Sequence, residues 1–433
     1  MPVWIKKTKV RQGGKEHLYY QLMKTLYTSK GSRQVVVANL GRAEDVDFSL
    51  AKKLAASITD DSYFFLPEEY LNLLHTKFHG ETFLLNKAFE ITSLRRFSED
   101  RASYKGLPTT SVDALFFLMA YYAFQKGEEN AAEFSRRYYV RNFENIDADA
   151  IRGAFALLRD AQYIHPGIMT SYRNLMDSGS LKYYFSFSVS TEAPFSHTSG
   201  SRITLLTDKN ALPLKFWIGW GENLPIADEN SLFVFDFFAE ELIHTNRPMK
   251  FIARINQRQL VRLFTSDQIA QINAVPCSKI YGDLMYGSVR MDEYNLMVLR
   301  AAGTSPNTTK SPTEIVITNN AVPVHEVLNC LNQLDAISDC FYRVFLPEDL
   351  HAICANISTI ELNWHIVALH FLHLFLEHQL SIRLKPLNLS AQDAYDIFRS
   401  MRIVSLKYCN QKQLIHSLYT PMQARILELL AFN

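Results

Sequence analysis

Cysteine is scarce in this chain: the five residues, Cys277, Cys330, Cys340, Cys354 and Cys409, are scattered, odd in number and form no Cys-x-x-Cys pair. That placement argues against a disulfide framework or a structural zinc site and points to a reducing, intracellular compartment. Also missing are the patterns GxxxxGK[ST], GxGxxG and GxSxG, which removes the common nucleotide-binding and serine-hydrolase signatures. Long apolar runs are absent as well. The most apolar stretch, Ile366 to Leu376, is short and broken by His370 and His373, so no membrane span and no membrane partner are expected. The start, MPVWIKKTK, carries charge without a following apolar run, so no signal peptide is expected.

What is present is the composition of a globular protein, 48% hydrophobic and 21% charged over 433 residues, enough for two or three domains. The formal charge of +1 conceals an asymmetry. Residues 1–42 hold nine Lys or Arg (Lys6, Lys7, Lys9, Arg11, Lys15, Lys24, Lys30, Arg33, Arg42) against one acid, Glu16, which leaves −7 for the remaining 391 residues. A cationic end on a near-neutral protein suits a polyanion, because each neutralised phosphate releases counterions. A solubilising basic arm is the other reading of the same charge pattern.

Residues 3–40 alternate polar turns (QGGKE, SKGSR) with β-rich runs (HLYYQLMKTLY, QVVVANL), the pattern of a small antiparallel meander, and residues 1–47 form a basic β-rich region. From 48 to 176 the apolar spacing turns helical, as in Val112, Leu115, Phe116, Met119, Ala120 and Ala123. Between Lys182 and Arg254 come the runs YYFSFSVST, RITLLT, PLKFWIG and LFVFDFF, with KFIARI a fifth and the helix-compatible AEELIHT between the last two. This gives a core over 177–350 with an insertion at about 256–313 that ends in the loop GTSPNTTKSPT, followed by EIVIT and a helix from Val324 to about Leu346. Residues 351–433 read as C-terminal helices, with Ser390 as an N-cap and Pro421 in a first turn. The fold class expected is α/β, or α+β overall, with a mixed sheet flanked by helices.

Four phrases carry a resemblance: YYQLMKTLYTSKGSRQVVVANLGR, LTDKNALPLKFWIGWGENLP, EIVITNNAVPVHEVLNCLNQLDAISDCFYRVF and HIVALHFLHLFLEHQL. In this order they resemble DDE-type insertion-sequence transposases: a basic β-rich start, the second and third strands of an RNase H-like core, the strand and helix bearing the last catalytic acid, and the apolar helix that follows. The resemblance implies an RNase H-like core, duplex DNA as partner, a homodimer acting on paired DNA ends, DNA strand cleavage and transfer by two Mg²⁺ ions about 4 Å apart, and a cytoplasmic, nucleoid-associated location.

Carried across residue by residue, the first aspartate falls on Ser188, the second on Asp236 and the glutamate on Ser338. Two of the three positions have no charge. Mg²⁺ is a hard cation held by anionic oxygens, so the resemblance implies a degenerate site with impaired catalysis, Asp236 as the one metal-ligand candidate, and Mg²⁺ as cofactor only if nuclease activity survives. Asp339 follows Ser338 but is turned from it by about 100° on a helix. Glu192 shares Ser188's strand face at about 13 Å. Asp335, roughly one turn before Ser338, is the best stand-in. Three readings stay open: a transposase-like DNA-binding protein in which catalysis is lost or badly impaired, a repurposed interaction or regulatory protein, and an active transposase using displaced acids.

Other residues read two ways. Arg136, Arg137 and Arg141 beside Tyr138 and Tyr139 suit DNA contacts or a solvated helix face. Arg254, Tyr342 and Arg343 could touch phosphate or be solvent-exposed or ion-paired residues. His370, His373 and Glu377 share a face with metal-ligand spacing, yet the surrounding leucines and phenylalanines, with His365 and His378 nearby, make a packing helix the better reading.

Overall fold

The computed structural model describes residues 3–12, 15–28, 31–49, 51–52, 54–55, 72–125, 130–159, 166–189, 202–218, 228–237, 250–282, 284–301, 314–341, 350, 359–408 and 411–431. It is a mixed α/β protein in which a multi-strand mixed sheet is flanked by helices. The chain divides into two compact units, one of residues 1–91, 132–141 and 380–433, the other of residues 92–131 and 142–379.

The first unit opens with the antiparallel meander β1 (Val3–Gln12), β2 (Lys15–Thr28) and β3 (Gly31–Arg42). Period-two alternation decides which face packs: Val3 and Leu22 are buried with Leu54 and Ala55, and Ile5 lies against them. Gly31 starts β3 at φ 113°, a conformation that L side chains rarely adopt. A second sheet, in the order β15-β14-β4, pairs β4 (Asn72–Phe78) with β14 (Arg402–Tyr408) and β15 (Gln411–His416). Strands β14 and β15 are thus an antiparallel pair inside what the sequence reads as a helical tail, which also holds helices at Ala391–Phe398 and Pro421–Ala431. Helix α1 (Gly80–Ile91) starts so close to Phe398 that a Cβ on Gly80 would lie 1.7 Å from the Phe398 carbonyl oxygen.

The second unit contains the helices α2 (Leu94–Tyr104), α3 (Thr110–Phe124), α5 (Ala148–Leu158) and α6 (Pro166–Asp177), which fall in chain order around α4 (Ala131–Arg137). Helix α3 is apolar nearly all round and buried, as such a pattern requires. Its approach to α5 leaves no room for a side chain at Gly153, where a Cβ would meet Ser111 Oγ at 2.0 Å.

The nine-stranded sheet has the order β10-β11-β12-β13-β9-β8-β5-β6-β7. In chain order it begins with the meander β5 (Lys182–Ser188), β6 (Arg202–Thr207) and β7 (Pro213–Ile218), antiparallel throughout. Strand β8 (Ser231–Phe235) then pairs parallel with β5, and β9 (Lys250–Ile255) parallel with β8. Beyond β9 the sheet continues antiparallel through β13 (Glu314–Thr318), β12 (Tyr294–Ala301), β11 (Leu284–Met291) and β10 (Lys279–Tyr281). The insertion therefore extends the same sheet, and its helices α7 (Gln257–Leu263) and α8 (Ser266–Asn273) both begin with a complete capping box.

The central strands are buried on both faces, the signature of strands covered by helices on each side. On one face Tyr184, Leu206, Phe233, Phe235 and Ala253 pack with Leu260, Phe264 and Ile272 of the insertion. On the other, Tyr183, Phe187 and Phe216 meet α9 (Val324–Cys340), Phe341 after it, and α10 (Thr359–Leu384): Phe187 lies 5.4 Å from Phe341, and Phe216 lies 5.2 Å from Trp364. Among the described residues no helix is long and apolar enough to cross a membrane.

Candidate functional site

Parallel pairing of β5 with β8 brings two of the three sequence-selected positions together. The ladder runs Lys182 to Ser231 through Ser186 to Phe235, so β5 and β8 end side by side and their next residues meet. The Asp236 N–H donates to the Ser186 carbonyl at 3.1 Å, and the Ser188 N–H donates to Asp236 Oδ2 at 2.6 Å. The other carboxylate oxygen, Oδ1, accepts from the Phe237 N–H at 2.8 Å.

It also accepts from a residue that sequence reasoning did not single out. Arg202 opens β6 as the direct cross-strand partner of Ser188, and its Nη1 lies 2.9 Å from Asp236 Oδ1. The guanidinium, only 5% exposed, donates further to the Ser186 carbonyl at 3.1 Å, to Ser186 Oγ at 3.4 Å and to Ser188 Oγ at 3.4 Å. Thr204 Oγ1 donates to Ser186 Oγ at 3.1 Å. One cation thus ties three adjacent strands, over the ring of Phe235 at 5.9 Å.

The third position differs. Ser186 and Ser188 alternate with Tyr183, Phe185 and Phe187, and it is the Tyr183 and Phe187 side that meets the helix segment: Tyr183 donates its hydroxyl to Glu326, and Phe187 packs on Phe341. Helix α9 therefore covers the face opposite to the Ser188 side chain. The last turn of α9 does end over the Ser188 end of β5, but the Ser338 hydroxyl donates to the Asp335 carbonyl in its own helix at 3.0 Å. Asp335, the best stand-in acid, is held by Arg254 of β9 through two bonds of 2.6 and 2.7 Å, and Arg254 also pairs with Glu314. Burial opposes the charge on Arg254, but hydrogen bonds to Asp335 and Glu314 outweigh it and hold its pKa above the usual value. Asp339 is exposed; Glu192, Tyr342 and Arg343 lie outside the described residues.

A two-metal centre does not fit these residues. Both oxygens of Asp236 already accept from N–H groups, Ser188 and Ser338 bring no charge, and a fixed cation stands where a dication would need negative charge. Among the described residues no group of three His, Cys, Asp or Glu could hold a metal ion. On α10, His365, His370 and His373 are buried, with His370 against Tyr122 and Phe341, and His373 lies 3.6 Å from Glu377.

The cationic residues of the amino-terminal meander divide between its faces. Strand alternation and register put Lys7, Lys9, Arg11 and Arg33 on the side of Ile5 and Leu22, and Lys6 and Arg42 on the other. All six are exposed. Lys9 pairs with Glu16 at 2.6 Å and Arg42 with Glu44 at 3.7 Å. Lys15 opens β2, and its side chain lies outside the described residues. Lys24, in contrast, is buried, which pushes its pKa down. On α4, Arg136 is exposed, whereas Arg137 lies over the rings of Phe78 and Tyr138 at 5.7 and 5.4 Å.

No protein-family model matches the chain, and no curated protein matches it.

Proposed function

We propose that this chain is a duplex-DNA-binding relative of the DDE-type insertion-sequence transposases, with an RNase H-like core that no longer holds a metal pair and so does not cleave DNA. The observation that carries the reading is the strand pattern β7-β6-β5-β8-β9, an antiparallel meander followed by two parallel strands. That is the order and direction of an RNase H-like sheet, and Ser188 and Asp236 stand at its neighbouring strand ends, where such enzymes keep their first two acids. The +8 charge of residues 1–42 supports a polyanionic partner. With Arg202 on Asp236 and Arg254 on Asp335, the retained acid and its best stand-in are both engaged by arginines.

A repurposed interaction protein that no longer engages DNA is favoured by one observation, the division of the amino-terminal cations over two faces, with Lys9 neutralised by Glu16. The two readings separate in one experiment. Fluorescence anisotropy with a labelled duplex should show binding that falls steeply with salt, while supercoiled plasmid stays intact in Mg²⁺ or Mn²⁺. Absence of duplex binding at low salt would favour the interaction protein. Nicking that disappears in Asp236→Ala would instead make the protein an active nuclease.

A further inference from the structure

The sheet's strand ends carry a charge arrangement of their own. Among the described residues of this cluster, Asp236 contributes one negative charge, Arg202 one positive charge, and Ser186 and Ser188 none. Arg202 reaches the Asp236 carboxylate, the Ser186 carbonyl and both serine hydroxyls, and Ser188 closes the circuit by donating its N–H to the second carboxylate oxygen. A guanidinium keeps its charge at any physiological pH and presents donors in a rigid fork. Small hydroxyl side chains at 186 and 188 are what such a fork needs beside it, because they accept hydrogen bonds without adding charge.

We propose that Arg202 is a resident cation, a fixed guanidinium that neutralises Asp236 in place of a divalent ion and keeps one out. The loss of metal binding is then not only a loss of acids. An acid restored at position 188 would meet Arg202, its cross-strand partner, and be neutralised as Asp236 is. A dication at the Asp236 oxygen would sit within a few ångströms of the guanidinium and be repelled. Metal affinity should appear only when an acid is added and Arg202 is removed together. The inference rests on the proposed function only in choosing position 188 for the restored acid.

The test compares the full chain with Ser188→Asp, with Ser188→Asp combined with Arg202→Gln, and with that pair plus Asp236→Asn, by Mn²⁺ titration followed by electron paramagnetic resonance. The wild type and Ser188→Asp should show no saturable Mn²⁺ binding. The double variant should bind roughly tenfold tighter or more than Ser188→Asp, since one unit charge beside the dication is gone, and the triple variant should lose that gain. A double variant that is unfolded without Mn²⁺ and folds on its addition also supports the proposal. Equal Mn²⁺ affinity in Ser188→Asp and the double variant would overturn it. So would a double variant, folded or not, that gains no affinity, or a gain that survives Asp236→Asn. Failure of duplex binding would sink the proposed function without moving any of these readouts.

Discussion

Replacing Asp236 by Asn tests how much of the core depends on the charge pair at the strand ends. Arg202 is 5% exposed and Asp236 16%, so the substitution takes the Asp236 charge away from a guanidinium in a nearly dry site. Breaking a buried ion pair from one side costs about 3–5 kcal/mol; the partial exposure of Asp236 places this site at about 3 kcal/mol. For a unit of this size that corresponds to a fall in Tm of roughly 5 °C. Asn can still accept from the Ser188 N–H but cannot also neutralise Arg202, so that amide should exchange with deuterium roughly 100-fold faster. Arg202→Met together with Asp236→Asn removes both charges and should recover most of the loss. Hydrogen exchange is the better assay, because a protein of two compact units need not melt in one transition. If the two single substitutions simply add in the double variant, the account of Arg202 and Asp236 as a coupled pair is wrong.

Further outcomes are expected elsewhere. His79 is buried and lies 5.1 Å from the ring of His416; burial first, then His416, lowers its pKa to about 4, against a hydrogen bond to the Tyr139 backbone that raises it. The unfolded chain therefore binds the proton first as pH falls from about 6.5, so stability that is whole above that pH is lost towards pH 4, by up to about 3 kcal/mol. His79→Phe should flatten this part of the urea midpoint's pH profile, and an unchanged slope would contradict the assignment. Gly80→Ala should destabilise the first unit severely, because its Cβ would meet the Phe398 carbonyl oxygen at 1.7 Å; a melting curve like the wild type's would show that α1 can shift. Asp335→Asn should lower stability by only about 1 kcal/mol, since Asp335 is half exposed and Arg254 keeps Glu314, and should leave DNA binding unchanged. Changing Lys6, Lys7 and Arg11 to Ala should reduce the salt slope of duplex binding by about 1 for each phosphate that is no longer neutralised; an unaltered slope would place the DNA on another surface.

Much of the sheet is legible in the sequence because its strands are short apolar runs set off by turns. YYFSFS, RITLLT, PLKFWI, LFVF, KFIARI and EIVIT each form the strand their pattern suggests, and the Val324 helix follows. The strands at Asn72–Phe78 and Arg402–Tyr408 are not legible, since each is completed by a partner from the other end of the chain. Local periodicity carries no trace of such a partner. Arg202 is missed for a related reason: a lone arginine at a strand start reads as surface. It becomes the partner of Ser188 only through the β5–β6 register. Asp335 looks available because helical spacing shows which residues neighbour it on its own helix, but not that Arg254 waits on the facing strand.

The central claim is that Ser188 and Asp236 meet at neighbouring strand ends around an arginine and not around metal ions. Anomalous diffraction from crystals grown in Mn²⁺ tests it most directly. The account predicts Asp236 in contact with Arg202 and no anomalous peak at its carboxylate; one Mn²⁺ peak there, or two about 4 Å apart, would contradict it.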